Sequence, residues 1–139
     1  MQLTGSVIAI TGAAQGLGRA MAQEFAQQGA SVALIDMQQE PLEQAAKELR
    51  NLGIKAEYYV VNVTNEAEVE VAFADIAMEF GQLNGLINSA GIMRDGMLLK
   101  VKDGKVVSKM SKEQFQSVLD VNVTGTFLCG REAAKQMIE

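Results

Sequence analysis

Short apolar runs alternate with segments whose apolar residues recur every three or four positions, and the alternation persists from the start of the chain to about residue 90. Val7-Ile8-Ala9-Ile10 is apolar without a break, the pattern of a parallel strand covered on both faces. Val32-Ala33-Leu34-Ile35, Ala56 to Val61 and Leu83 to Ile87 read as three more strands. Helical periods lie between them. Leu17, Met21 and Phe25 form a stripe from Gly16 to Gln28 that Gly29 ends. Leu42, Ala45, Ala46 and Leu49 follow Pro41, which a first helical turn tolerates, and that helix closes near Gly53. Val69, Ala72, Phe73, Ile76 and Phe80 run from a cap at Thr64 or Asn65 to a stop at Gly81. Strand and helix in regular succession predict stacked βαβ units: an α/β fold with a doubly wound parallel sheet.

The pattern changes after residue 90. Residues 99–108 read as a hairpin, with Asp103-Gly104 as the turn between Val101 and Val106-Val107. Ser111 and Gln114 resemble a capping box that opens a last helix through Phe115, Val118, Leu119 and Val123 to the final residue, Glu139.

Composition narrows the function classes. Apolar residues make up 48% of the 139, enough for a single core. A net charge of −5 argues against sequence-independent binding to nucleic acid or to anionic membranes. With no histidine and only Cys129, these residues hold no internal disulfide, histidine-based triad or usual zinc cluster, and no metal site is expected. Met1-Gln2-Leu3-Thr4-Gly5 lacks the basic and long apolar stretches of a signal peptide, and no apolar run reaches membrane-span length. A reducing, cytoplasmic setting is the expectation.

The candidate chemistry begins directly after the first strand, where Thr11-Gly12-Ala13-Ala14-Gln15-Gly16-Leu17-Gly18 opens into a helix. Glycines there let the backbone turn tightly and approach a pyrophosphate, whose charge the free amides and the positive helix end attract. Asp36, at the end of the second strand, can accept hydrogen bonds from both hydroxyls of an adenosine ribose. A 2′-phosphate would meet like charge there, and no arginine stands at positions 13 to 15 or 37 to offset it. NAD is therefore expected over NADP.

T-G-x-x-x-G-x-G at this place resembles the fingerprint of the short-chain dehydrogenase/reductase family. Asp36, Asn88-Ser89-Ala90-Gly91 and Val121-Asn122-Val123-Thr124-Gly125 follow in the family's order, so the resemblance covers the whole chain. It implies a three-layer α/β/α Rossmann-type domain with strand order 3-2-1-4 in these residues, read here as the N-terminal, NAD-binding part (1–139) of a longer domain. The implied cofactor contacts are Gly12, Gln15, Gly16, Leu17, Gly18, Asp36, Met37, Asn62, Val63, Asn88, Ala90 and Gly91. Two positions depart from the family's pattern: Asn62 stands where aspartate is usual, and Ser89 replaces a second asparagine. The Asn62 amide can pair with an adenine edge or cap its own turn, and both roles stay open.

The resemblance makes Asn122 the first member of an Asn-Ser-Tyr-Lys catalytic set, holding a water in a proton relay and interrupting its helix. Read from the residue alone, it is a satisfied interior amide; the family match favours the functional role. Neither Tyr58 nor Tyr59 begins a Tyr-x-x-x-Lys motif. The serine, tyrosine and lysine are expected further along the full protein, and residues 1–139 alone are expected to bind cofactor at best. The implied activity is NAD(H)-dependent hydride transfer between nicotinamide and a small carbonyl or secondary alcohol, within a homodimer or homotetramer. Ile92-Met93-Arg94-Asp95 further resembles 3-oxoacyl carrier-protein reductases. Arg94, Lys100, Lys102, Lys105, Lys109 and Lys112 place half of the twelve basic residues in nineteen positions. That hairpin is either a solvated loop or a flap for acyl-carrier- or coenzyme-A-linked substrates. A non-catalytic nucleotide-binding module or regulatory subunit is the alternative, and a methyltransferase on the same sheet is disfavoured by the glycine spacing.

Overall fold

A computed structural model describes residues 3–139; Met1 and Gln2, part of the stretch read above for targeting signals, lie outside them. Four parallel strands form the sheet: β1 (Val7–Thr11), β2 (Ser31–Asp36), β3 (Ala56–Val60) and β4 (Gly85–Asn88), in the spatial order β3-β2-β1-β4. Helices α1 (Gly16–Gln27), α2 (Gln39–Asn51) and α3 (Glu66–Phe80) connect them. An antiparallel hairpin, β5 (Leu99–Lys102) and β6 (Lys105–Lys109), follows β4, and the chain ends in α4 (Lys112–Leu119), a π-helical turn (Asp120–Gly125) and α5 (Thr126–Ile138).

The unbroken apolar runs are explained by two cores, one on each face of the sheet. Ile8, Ile10, Val32 and Leu34 face α1 and α2, while Val7, Ala9, Ala33 and Ile35 face α3 and α5. Alternate residues of β1 and β2 thus enter different cores, and both sets are apolar. The layers are α/β/α, as the strand pattern predicts.

One helix turns a different face inward from the one its large residues mark. Gly18, Ala22 and Ala26 are the buried side of α1, with Met21 and Phe25 half-buried and Leu17 70% exposed. Small residues bring this helix close to the sheet, so backbone approach outweighs the aliphatic stripe. Asn65, not Thr64, caps α3, its side chain accepting from the Glu68 amide at 3.2 Å. Gly81 ends that helix at φ 76°, the left-handed conformation expected of a C-terminal stop. Leu83 is buried but precedes β4, which starts at Gly85.

The expected last helix also differs. Ser111 accepts from the Gln114 amide at 3.0 Å, but the Gln114 side chain donates to the Arg94 carbonyl at 3.0 Å, so the reciprocal arm of the box is redirected. No residue of α4 is buried, and Phe115 and Val123 are 57% and 60% exposed. The π turn then breaks the helical register. Beyond it Leu128, Cys129 and Ala133 pack into the core, and Arg131 bonds Glu132 at 2.7 Å, Glu66 at 2.9 Å and Glu70 at 3.3 Å, tying α5 to α3.

Candidate cofactor cleft

The carboxyl ends of β1, β2 and β4 converge where the strand order reverses, the usual position of a ligand crevice in an open α/β sheet. A cleft of about 570 Å³ lies there, lined by Gly12, Gln15, Gly16, Leu17, Gly18, Asp36, Met37, Val63, Ala90 and Gly91 together with Gln38, Ser89, Ile92 and Val121. All the expected contacts line it except Asn62 and Asn88, which flank it. The Asn62 carbonyl accepts from the Thr64 amide at 3.0 Å and from its hydroxyl at 2.8 Å, so this side chain does cap its turn.

The glycines divide the labour of the turn. At Gly12 (φ 68°) a Cβ would lie 2.8 Å from the Ala90 nitrogen, and at Gly18 it would lie 2.2 Å from the Gly12 carbonyl oxygen. Those two positions are fixed by the protein's own backbone. Gly16 (φ 58°) has nothing within 4 Å of its would-be Cβ, so its openness faces the cleft rather than a packed neighbour. The N-cap residue Gln15 makes no side-chain capping bond, and the first turn of α1 holds no carboxylate. Those early amides therefore remain available to an anionic ligand, favoured by the helix dipole. A dinucleotide pyrophosphate fits this cradle.

Asp36 is held from both sides. Its Oδ2 accepts from the Ala14 amide at 3.1 Å and its Oδ1 from the Gln38 amide at 3.0 Å. Each oxygen keeps a lone pair, enough for a vicinal diol. No lysine or arginine is among the residues lining the cleft.

Opposite the glycine turn, the loop after β4 is fixed by Thr11. Its buried Oγ1 accepts from the amides of both Ser89 (3.1 Å) and Ala90 (3.0 Å), locking that loop to β1. Reading the sequence for glycines and charges passed over this role; the signal available was a hydroxyl residue immediately before the first glycine.

Asn122 lies in the π turn and meets the segment just beyond the loop. Its Oδ1 accepts from the Ile92 amide at 2.8 Å and its Nδ2 donates to the Ile92 carbonyl at 2.9 Å. Both ends of the side chain are engaged, so it clamps the rim of the cleft. Its main-chain carbonyl accepts from the Thr126 hydroxyl at 2.9 Å and has a second lone pair.

These features have counterparts in known proteins. The short chain dehydrogenase family profile matches residues 6–139. The chain is 34% identical over 139 residues to a 3-oxoacyl-(acyl-carrier-protein) reductase of Thermotoga maritima, covering 100% of this chain and 53% of that protein. It is 34% identical over 137 residues to the 2,3-dihydro-2,3-dihydroxybenzoate dehydrogenase of Bacillus subtilis, covering 99% and 49%. The solved structure of NAD+-bound xylitol dehydrogenase superposes with a TM-score of 0.85 at 34% identity, covering 99% of this chain and 50% of the other. The chain belongs to the short-chain dehydrogenase family, and it spans about half the length of the curated relatives it matches.

Proposed function

We propose that the protein is an NAD(H)-dependent oxidoreductase that transfers hydride between nicotinamide and a carbonyl or secondary alcohol, with residues 1–139 as its cofactor-binding part. The observation that carries this reading is Asp36, a carboxylate held at the cleft by two backbone amides with no cation lining the site to receive a 2′-phosphate. The family and the relatives' dehydrogenase and reductase activities support the reaction class.

Gly12, Gly16 and Gly18 with the start of α1 would hold the pyrophosphate, Asp36 the adenosine ribose, and Ala90 and Gly91 the wall that leads toward the reacting end. The nicotinamide, when bound, supplies or accepts the hydride. Asn122 keeps that wall in place through Ile92, and its main-chain carbonyl is the group left to hold a water for proton transfer. The tyrosine and lysine of the implied relay belong to the whole protein, as does the proposed homodimer or homotetramer. Reduction of a 3-oxoacyl thioester is the substrate reading we favour, because the resemblance at Ile92-Met93-Arg94-Asp95 and the reductase relative agree on it.

The test is a comparison of NAD+ and NADP+ affinity in the full-length protein. We expect NAD+ to bind at least about tenfold more tightly, the loss of roughly one charge-assisted pairing, and Asp36→Ala to erase that preference. Equal affinities in the unchanged protein would defeat the proposal.

A further inference from the structure

Arg19, Arg50, Lys55 and Arg131 each pair with a carboxylate, whereas the clustered Arg94, Lys100, Lys102, Lys105, Lys109 and Lys112 pair with none among the described residues, as do the isolated Lys47 and Lys135. With only Asp95 and Asp103 against them, residues 94–112 carry +4 on a chain of net −5.

Strand pairing arranges these charges. Asp103 and Gly104 both have positive φ, the turn that a two-residue hairpin favours. Lys102 pairs with Lys105 and Lys100 with Ser108, so these four side chains share one face, while Leu99, Val101 and Val106 share the other with Lys109, the partner of Leu99. The shift that leaves Val107 without a partner preserves this division. Like charges opposite one another destabilise a ribbon, so Lys102 facing Lys105 is a cost to folding that a bound anion would remove.

The lysine face leads somewhere. The Met110 amide continues the ladder by bonding the Leu98 carbonyl at 3.0 Å, and alternation places Met110 on the same face as Lys100 and Ser108. Met110 also lines a pocket of about 300 Å³ with Ile92, Met93, Phe115, Val118 and Asn122. Ile92 is a wall of the cofactor cleft as well. Cleft, apolar pocket and cationic strand face therefore follow one another in that order.

Resting on the dehydrogenase reading above, we propose that this track binds an acyl thioester of coenzyme A: the pocket takes the pantetheine arm beside the thioester, and Lys100, Lys102 and Lys105 take the nucleotide phosphates. The backbone positions that carry the three lysines are about 7 Å apart along the strand and about 5 Å across it. Long side chains rooted that closely can reach a diphosphate and a nearby 3′-phosphate together. An acidic protein partner would need roughly 800 Å² of contact, more than the face of a hairpin with strands of this length.

The test is calorimetric titration of the full-length protein with coenzyme A itself, which requires no turnover and so is independent of the dehydrogenase reading. We expect Lys102→Gln with Lys105→Gln to weaken binding about tenfold and to flatten its salt dependence, to leave NAD+ binding unchanged, and 3′-dephospho-coenzyme A to bind the unchanged protein less tightly. Failure to reduce both acetoacetyl-coenzyme A and its uncharged N-acetylcysteamine analogue would sink the dehydrogenase reading while leaving this measurement standing. Unaltered coenzyme A affinity in the double variant would overturn the proposal. So would a loss confined to binding of acyl carrier protein or of vesicles of anionic phospholipid.

Discussion

The chain before Asn88 and the segment from Asn88 to Thr124 use apolar residues in opposite ways. In the first, strand residues such as Ile10, Val32 and Leu34 are fully buried between layers. In the second, no residue is buried, although Met93, Leu98, Val101, Val106, Phe115 and Val123 are all large and apolar. Apolar content alone does not bury a side chain; a second layer has to cover it. In the first region, each strand brings its covering helix with the next βαβ unit. In the second, the hairpin is a lone two-stranded ribbon, marginal by itself, and only a few bonds, among them the Asn122 pair to Ile92 and the Gln114 bond to Arg94, tie the segment together.

The comparison is most sharply tested at glycines. Gly18→Val would drive a side chain into the Gly12 carbonyl, 2.2 Å from the new Cβ, and should cost about 3 kcal/mol or more. Gly104→Ala, in open space at φ 71°, should cost about 1 kcal/mol, only the left-handed penalty. Thermal melts of the two variants decide the matter, and equal losses would mean that the two regions are not differently supported.

Asn122→Ala comes next. Removing both bonds to Ile92 should cost about 1–2 kcal/mol, with the loss local to the rim of the cleft. Hydrogen exchange should accelerate at the Ile92 amide and remain unchanged at amides of β1 and β2. Uniform acceleration would show that Asn122 supports the whole fold.

An effect confined to high pH is expected in the covered core. Burial pushes the Cys129 thiol up to about 11 from an ordinary 9.0. Because the folded value lies above the unfolded one, the neutral thiol contributes fully below about pH 9, and the contribution is lost as pH rises through 11. Tyr59, raised to about 12 chiefly by burial and then by Glu57, titrates higher. Cys129→Ala should therefore flatten the fall in melting temperature between pH 9 and 11 without abolishing the fall above it. An unchanged profile would exclude the thiol as its source.

Much of the first region is legible because its physics is local. Val7 to Ile10 must be a strand covered on both sides, Gly81 must stop a helix, and Thr11 to Gly18 must form a turn open to an anion, each because of a short run of residue types. Leu17 shows the limit. It belongs to an aliphatic stripe by period, yet close approach of α1 to the sheet selected Gly18, Ala22 and Ala26 for burial and left Leu17 lining the cleft. Asn62 caps its own turn through its side-chain carbonyl, which accepts from Thr64 two residues on, and this leaves open the pairing of its amide group with an adenine edge.

The sequence by itself determined the strand and helix succession, the glycine turn and the carboxylate beside it, since each follows from backbone sterics, periodicity and charge within a few residues. The tertiary structure decided what depends on residues far apart: the Thr11 lock on the Ser89 and Ala90 amides, the clamp of Asn122 on Ile92, and the continuity of the lysine face with the pocket through Met110. Those contacts join positions up to 79 residues apart. Local pattern names the groups available for such bonds, and packing chooses among them.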